Sequence, residues 1–140
     1  MLFSKNYIDY VTRTASEKYS IEMAACALME EIIEFDNDPG IDELGDVYYQ
    51  FVLFAYLTGI NLETLNYSEC RGDNIPCILA ITSQFKKRTT RGKELDYDLI
   101  DKYINYIYSD ITEMTTQIDL QPSEVEAYNM SKLDRRYKDV

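Results

Sequence analysis

Histidine and tryptophan are both missing from the 140-residue chain, and glycine and proline are scarce, at five and three residues. The lack of histidine excludes His-based catalytic triads, histidine general bases and the usual zinc sites. A metal ion would therefore need oxygen ligands, which favours Mg²⁺, with Mn²⁺ as the second choice. Since few residues break helices and 46% are hydrophobic, we expect one domain, residues 1–140, with a substantial core.

Basic residues are missing between Tyr19 and Cys70, a stretch that holds eleven acidic residues. The rest of the chain carries fourteen residues of each sign, so this stretch accounts for the whole formal net charge of −11. Such a surface repels nucleic-acid backbones and anionic membranes, and we expect neither as a partner. The local concentration of charge indicates a site more than a general solubility device.

The three cysteines, Cys26, Cys70 and Cys77, are odd in number and form no CxxC motif. We expect reduced thiols in a cytoplasmic compartment, with Cys26 in the core because it lies in an apolar helical run. The N-terminal residues do not have the pattern of a signal peptide. The longest apolar run, residues 47–60, is too short for a membrane span.

Apolar residues spaced by three and four positions recur along most of the chain and predict an all-α helical bundle. The predicted helices span residues 5–16, 20–35, 39–58, 75–87 and 97–118, and Pro122 opens a sixth. Asp38 is expected to cap the third helix, with Pro39 at its first position, and a polar break is expected at residues 89–92. Residues 47–57 are apolar on every side except at Gln50, and a small domain rarely surrounds such a helix. This favours a homo-oligomer, either a dimer or a tetramer.

Four of the acidic residues form two pairs with a spacing of three, Glu31 with Glu34 and Glu43 with Asp46. On a helix each pair lies on one face, where the like charges repel each other. The short connection predicts an antiparallel hairpin whose four carboxylates converge beside the core, which suits a divalent cation. The alternative is a solvated acidic face, with Glu43 stabilised by the dipole of the helix N-terminus.

Two segments resemble a known family. EEIIE at residues 30–34, followed by DELGDVYYQFVLFA at residues 42–55, is similar to the ExxE and ExxD motifs of the MazG-like all-α nucleoside triphosphate pyrophosphohydrolases. NMSKLDRRY at residues 129–137 is similar to the ending of short members of that family. The connection between the two acidic motifs is shorter than the usual linker. The resemblance implies that Mg²⁺ is held by Glu31, Glu34, Glu43 and Asp46, and that the phosphates are contacted by Asn129, Lys132 and Arg136.

The activity implied by this resemblance is hydrolysis of an NTP or dNTP to the monophosphate and pyrophosphate. Such chemistry needs a cation on the phosphate oxygens and a carboxylate that deprotonates water. Glu31 and Glu34 are the candidates for that carboxylate. Two alternatives are a non-catalytic acidic binding protein, which mimics nucleic acid or inhibits a basic partner, and a MazG-like protein that binds nucleotides without turnover.

Overall fold

The computed structural model describes residues 2–15, 17, 19–69 and 72–138. This part of the chain is all-α, with no strand, as the apolar spacing predicted. Its helices are α1 (Lys5–Thr14), α2 (Ile21–Asn37), α3 (Ile41–Thr58), α4 (Asn74–Arg91), α5 (Tyr97–Gln117) and α6 (Pro122–Lys138), with a short 3₁₀ turn at Leu62–Thr64. None of these helices combines the length and apolarity that a membrane span requires.

The ends of the helices follow local chemistry. Ser4 and Ser20 cap α1 and α2 by accepting hydrogen bonds from backbone N–H groups three residues later. Gly59 and Gly92 end α3 and α4 with positive φ angles of 84° and 66°, a conformation that glycine adopts without steric cost. Ser16, the predicted end of the first helix, lies outside the described residues.

Two predicted helix boundaries are wrong. Asp38 does not cap α3, because the helix begins at Ile41 and Gly40 occupies the cap position. Asp38 instead follows α2 and donates its backbone N–H to the Glu34 carbonyl. The break expected at residues 89–92 is also wrong, because α4 continues to Arg91 and ends at the glycine that follows.

The apolar helix α3 lies at the centre of the molecule. It packs against α1, α2, α5 and α6, and the most extensive of these contacts is with α2, to which residues 38–40 connect it. Residues 51–55 are all buried, whereas Tyr56 is half exposed. Most of the apolar surface that suggested an oligomer is therefore covered within one chain, and the homo-oligomer stays a prediction.

The buried apolar side chains form one continuous cluster around α3. Phe3 lies edge-on to Tyr48 at 5.0 Å between ring centroids and stacks near Phe51 at 5.7 Å, which anchors the segment before α1 onto α3. Cys26 is exposed and not in the core, because Ala24, Ala25 and Leu28 supply the inward face of α2. Cys77 is buried as a free thiol, and Cys70 lies outside the described residues.

Candidate functional site

A cavity of about 340 Å³ lies where α2, α3 and α6 meet, beside the end of α1. These three helices contribute six polar residues to its lining, Glu31, Asp46, Tyr49, Gln50, Asn129 and Arg136, and Thr14 and Tyr19 lie at its edge near α1. Leu53 and Leu133 form part of its apolar lining. Asn129 and Arg136, which lie far from the first acidic motif in the sequence, thus meet Glu31 and Asp46 at one place.

Three buried polar atoms without a hydrogen-bond partner belong to side chains that line this cavity. They are Glu31 Oε2, Gln50 Oε1 and Asn129 Nδ2, and they are the unpaired buried side-chain atoms in the described part of the chain. A buried polar group without a partner costs about 1–3 kcal/mol, so native proteins rarely leave one unpaired. Three such groups in one cavity can be partnered there by a ligand or by ordered water.

Glu31 holds its proton more tightly than an ordinary glutamate. Burial raises its pKa, the negative charges of Asp46 and Glu34 raise it further, and a hydrogen bond with Glu34 adds to this shift. The charge of Lys132 opposes these effects, and the resulting pKa is about 7. A carboxyl group with this pKa can accept or release a proton near neutral pH, as a general base or acid must.

Asp46 is neutralised by a cation from α6. Lys132 Nζ donates to both carboxylate oxygens of Asp46, at 3.0 and 2.9 Å, and lies 2.7 Å from Asp42 Oδ1. Burial nevertheless raises the pKa of Asp46, against the opposing effects of Lys132 and the more distant Arg136. The ion pair fixes α6 to the first turns of α3 and offsets part of the repulsion between Asp46 and Glu31.

Asn129 is fully buried and held from one side. Tyr7 Oη donates a hydrogen bond of 2.8 Å to Asn129 Oδ1, and both side chains are inaccessible to solvent. On the other side, α3 comes so close that a Cβ on Gly45 would lie 3.1 Å from Asn129 Cβ and 3.2 Å from its Nδ2. The glycine of the ELGD segment therefore makes room for the asparagine of α6.

The structure places the four acids of the two motifs differently. Glu31 and Asp46 line the cavity, and Glu34 is exposed and raises the pKa of Glu31. Glu43 is not among the described residues that line it, and its Oε2 lies close to Gly40 in the first turn of α3. An acid in the first turn is stabilised by the helix dipole, which is the role that the alternative interpretation gave to Glu43.

The predicted phosphate contacts also differ in position. Asn129 and Arg136 line the cavity, Asn129 as a buried side chain and Arg136 as an exposed one. Lys132 lies on the same helix but is engaged with Asp42 and Asp46. Of the three predicted phosphate contacts, Asn129 Nδ2 and the Arg136 guanidinium are therefore the two that the cavity offers to an anionic ligand.

The described side chains do not by themselves form a complete set of metal ligands. Within the described ranges, no three carboxylate or cysteine side chains are gathered closely enough to hold an ion. Mg²⁺ commonly binds through one or two carboxylates and completes its octahedron with water and substrate phosphates. Glu31, which has an unpaired oxygen, and Asp46, whose two oxygens accept hydrogen bonds from Lys132, are the two carboxyl groups in this cavity.

Three residues around this cavity were not predicted as site residues. Gln50 follows Asp46 by one helical turn and is the single strongly polar residue in an apolar run, a signal that was available in the sequence. Tyr49 lines the cavity, but thirteen tyrosines in the chain conceal it. Nothing in the sequence points to Tyr7, which reaches Asn129 across 122 positions.

A second, wider groove of about 560 Å³ runs along α1 and is lined by Asn6, Asp9, Tyr10, Thr12, Arg13, Tyr56 and Met130. It contains none of the buried unpaired atoms found in the described residues. The groove is more open than the cavity, and we therefore place the candidate site in the cavity.

Comparison of the chain with protein-family models, with curated proteins and with solved structures finds no match.

Proposed function

We propose that the protein is a Mg²⁺-dependent nucleoside triphosphate pyrophosphohydrolase, which converts an NTP or dNTP and water into the monophosphate and pyrophosphate. The observation that carries the proposal is the convergence of three buried, unpaired polar atoms on a cavity that also contains Glu31, Asp46 and Arg136. Its volume of about 340 Å³ lies within the usual range for small-molecule sites. The resemblance to MazG-like proteins supports the same reaction.

Four polar residues of the cavity have roles that fit this reaction. Glu31 and Asp46 would hold the cation, and the chemistry expected of Mg²⁺ there is neutralisation of phosphate oxygens and acidification of water. Arg136 can donate two parallel hydrogen bonds to a phosphate. Asn129 Nδ2 supplies an uncharged donor from a dry position.

Proton transfer is assigned to the pair Glu31 and Glu34. In the metal-free protein the pKa of Glu31 is about 7, and a bound cation would favour the ionised form, which can accept a proton from water. The exposed Glu34, three residues later on α2, favours the protonated form of Glu31. Glu31 thus serves as the general base, and Glu34 raises its proton affinity.

One observation favours a second candidate, a protein that binds nucleotides without turnover. The resemblance assigns Lys132 to the phosphates, but in the structure its charge is engaged by two aspartates. With less positive charge around the phosphates, the transition state of hydrolysis would be stabilised less, and a bound nucleotide would not be turned over.

The test is to incubate the protein with Mg²⁺ and a panel of NTPs and dNTPs and to identify the phosphorus products. We expect monophosphate and pyrophosphate, with at least a hundredfold loss of turnover in Glu31→Gln and Asp46→Asn. Asp101→Asn is the matched control, because Asp101 is an exposed acid on α5. Orthophosphate as the first product would contradict the assigned reaction. Nucleotide binding without any product would favour the second candidate.

A further inference from the structure

The orientation of the Asn129 side chain is fixed before any ligand binds. Its amide oxygen accepts the Tyr7 hydroxyl hydrogen bond at 2.8 Å, so the amide nitrogen occupies the other end of the group. That nitrogen is buried and unpaired, and the side chain lines the cavity that also contains Glu31 and Asp46. Because the oxygen is taken up by Tyr7, the nitrogen is the atom of this amide that is left to bind a ligand.

The surroundings of Tyr7 allow it no other obvious role in the cavity. Its ring is fully buried and packs on Phe3 and Tyr48. Burial is the main cause that raises its pKa well above the ordinary value. Tyr7 therefore stays protonated at physiological pH and acts as a permanent donor to Asn129, without being among the residues that line the cavity.

The ligand group that Asn129 would meet is defined by the rest of α6. Asn129 and Arg136 are seven positions apart, which is two turns, so both lie on the same face of the helix. Both line the cavity and both donate hydrogen bonds, the first as an amide and the second as a guanidinium. Two donors on one helix face suit the oxygen atoms of an extended anion, such as a chain of phosphates.

We propose that Tyr7 is a positioning residue, which holds the Asn129 amide so that its Nδ2 donates to a phosphate oxygen of the substrate. This inference rests on the proposed function for the identity of the substrate. Tyr7 touches neither substrate nor metal, and it acts only through Asn129. Gly45 completes the arrangement, because the close approach of α3 leaves the amide little room to move.

Tyr7→Phe removes one hydroxyl group and keeps the aromatic packing. Without the hydroxyl, the amide oxygen loses its partner and the amide is held by packing alone, so its nitrogen is placed less precisely. We expect KM to rise about tenfold with kcat within twofold of wild type, the pattern of a lost binding contact. In an Asn129→Ala background, Tyr7→Phe should have no further effect, because the two residues act as one unit.

Tyr48→Phe is the matched control. Tyr48 is as buried as Tyr7 and also packs on Phe3, but its hydroxyl is 2.6 Å from Thr115 Oγ1 and it does not line the cavity. It should lose stability to a similar extent and keep the wild-type KM. A wild-type KM in Tyr7→Phe would overturn the proposal. So would an equal rise in KM in Tyr48→Phe, or a full effect of Tyr7→Phe in the Asn129→Ala background.

A second measurement separates this proposal from the proposed function. In ¹⁵N-labelled protein, the Asn129 side-chain amide is identified by its loss in Asn129→Asp, and its hydrogen exchange with solvent is measured without nucleotide. We expect exchange at least tenfold faster in Tyr7→Phe and unchanged in Tyr48→Phe. If the wild type hydrolyses no nucleotide, the proposed function fails, and this exchange alone decides the positioning role. Unchanged exchange in Tyr7→Phe would overturn it.

Discussion

Replacing Glu31 with glutamine should stabilise the protein at alkaline pH while removing its proposed activity. The Glu31 pKa is about 7 in the folded protein, compared with an ordinary value of 4.5. The folded state therefore binds the proton more tightly than the unfolded state does. The contribution of Glu31 to the free energy of unfolding is therefore largest below pH 4.5. It decreases as the pH rises toward 7 and is lost above that pH.

The magnitude follows from the position of the side chain. A pKa difference of this size corresponds to roughly 3 kcal/mol if it is taken at face value. Because Glu31 is only partly buried, solvent screening reduces the effect, and we expect about 1 kcal/mol. For a chain of this length, that free energy corresponds to a rise in melting temperature of roughly 3–5 °C.

The assay is thermal unfolding of wild type and Glu31→Gln, without divalent metal, from pH 5 to pH 8.5. The variant should melt at higher temperature at pH 8 and at nearly the same temperature at pH 5. Glu30→Gln is the control, because Glu30 is the exposed neighbour on the same helix and its replacement should leave the pH dependence unchanged. A variant that melts below wild type at pH 8, or differs equally at both pH values, would refute the assignment of a destabilising charge to Glu31.

Three further predictions concern α3 and α6. Gly45→Ala should lower the free energy of unfolding by about 1–2 kcal/mol in chemical denaturation. The new methyl group crowds Asn129, and this overpacking outweighs the gain in helix propensity. A variant as stable as wild type would contradict this close packing. Lys132→Met should cost about 1–2 kcal/mol at pH 8, since it leaves two carboxylates without their cation, and the loss should shrink at acid pH because burial raises the pKa of Asp46. Arg135→Met on the exposed side of α6 is its control, and equal losses in the two variants would count against the ion pair. Glu43→Gln should retain most of the nucleotide turnover that Asp46→Asn loses, because the Glu43 carboxylate lies at the helix start; losses of the same size would restore Glu43 as a metal ligand.

The helical fold was readable from the sequence because it follows from local patterns. Three local features were sufficient: the apolar stripe of α2, the long apolar run of α3, and the glycines that end α3 and α4, Gly59 and Gly92. The errors occur where two local signals compete. Pro39 permits a helix start, but Gly40 took the cap position, and the threonines before Gly92 remained helical.

The candidate site was predictable in part. The spacing of Glu31 and Asp46 along their helices already placed them on the flanks that meet between α2 and α3. The orientation of single side chains was not predictable, because it depends on contacts between distant segments. The engagement of Lys132 by Asp42 and Asp46 and the hydrogen bond from Tyr7 to Asn129 arise only when α6 and α1 pack onto α3.

The most direct test of the account is a crystal structure of the wild-type protein with Mg²⁺ and a nucleoside triphosphate whose α,β-bridging oxygen is replaced by NH, so that it cannot be cleaved there. The account predicts that the phosphate chain lies in the cavity between Glu31, Asp46 and Arg136, with Asn129 Nδ2 within hydrogen-bond distance of a phosphate oxygen. A nucleotide bound in the groove along α1, with the cavity unchanged, would contradict it.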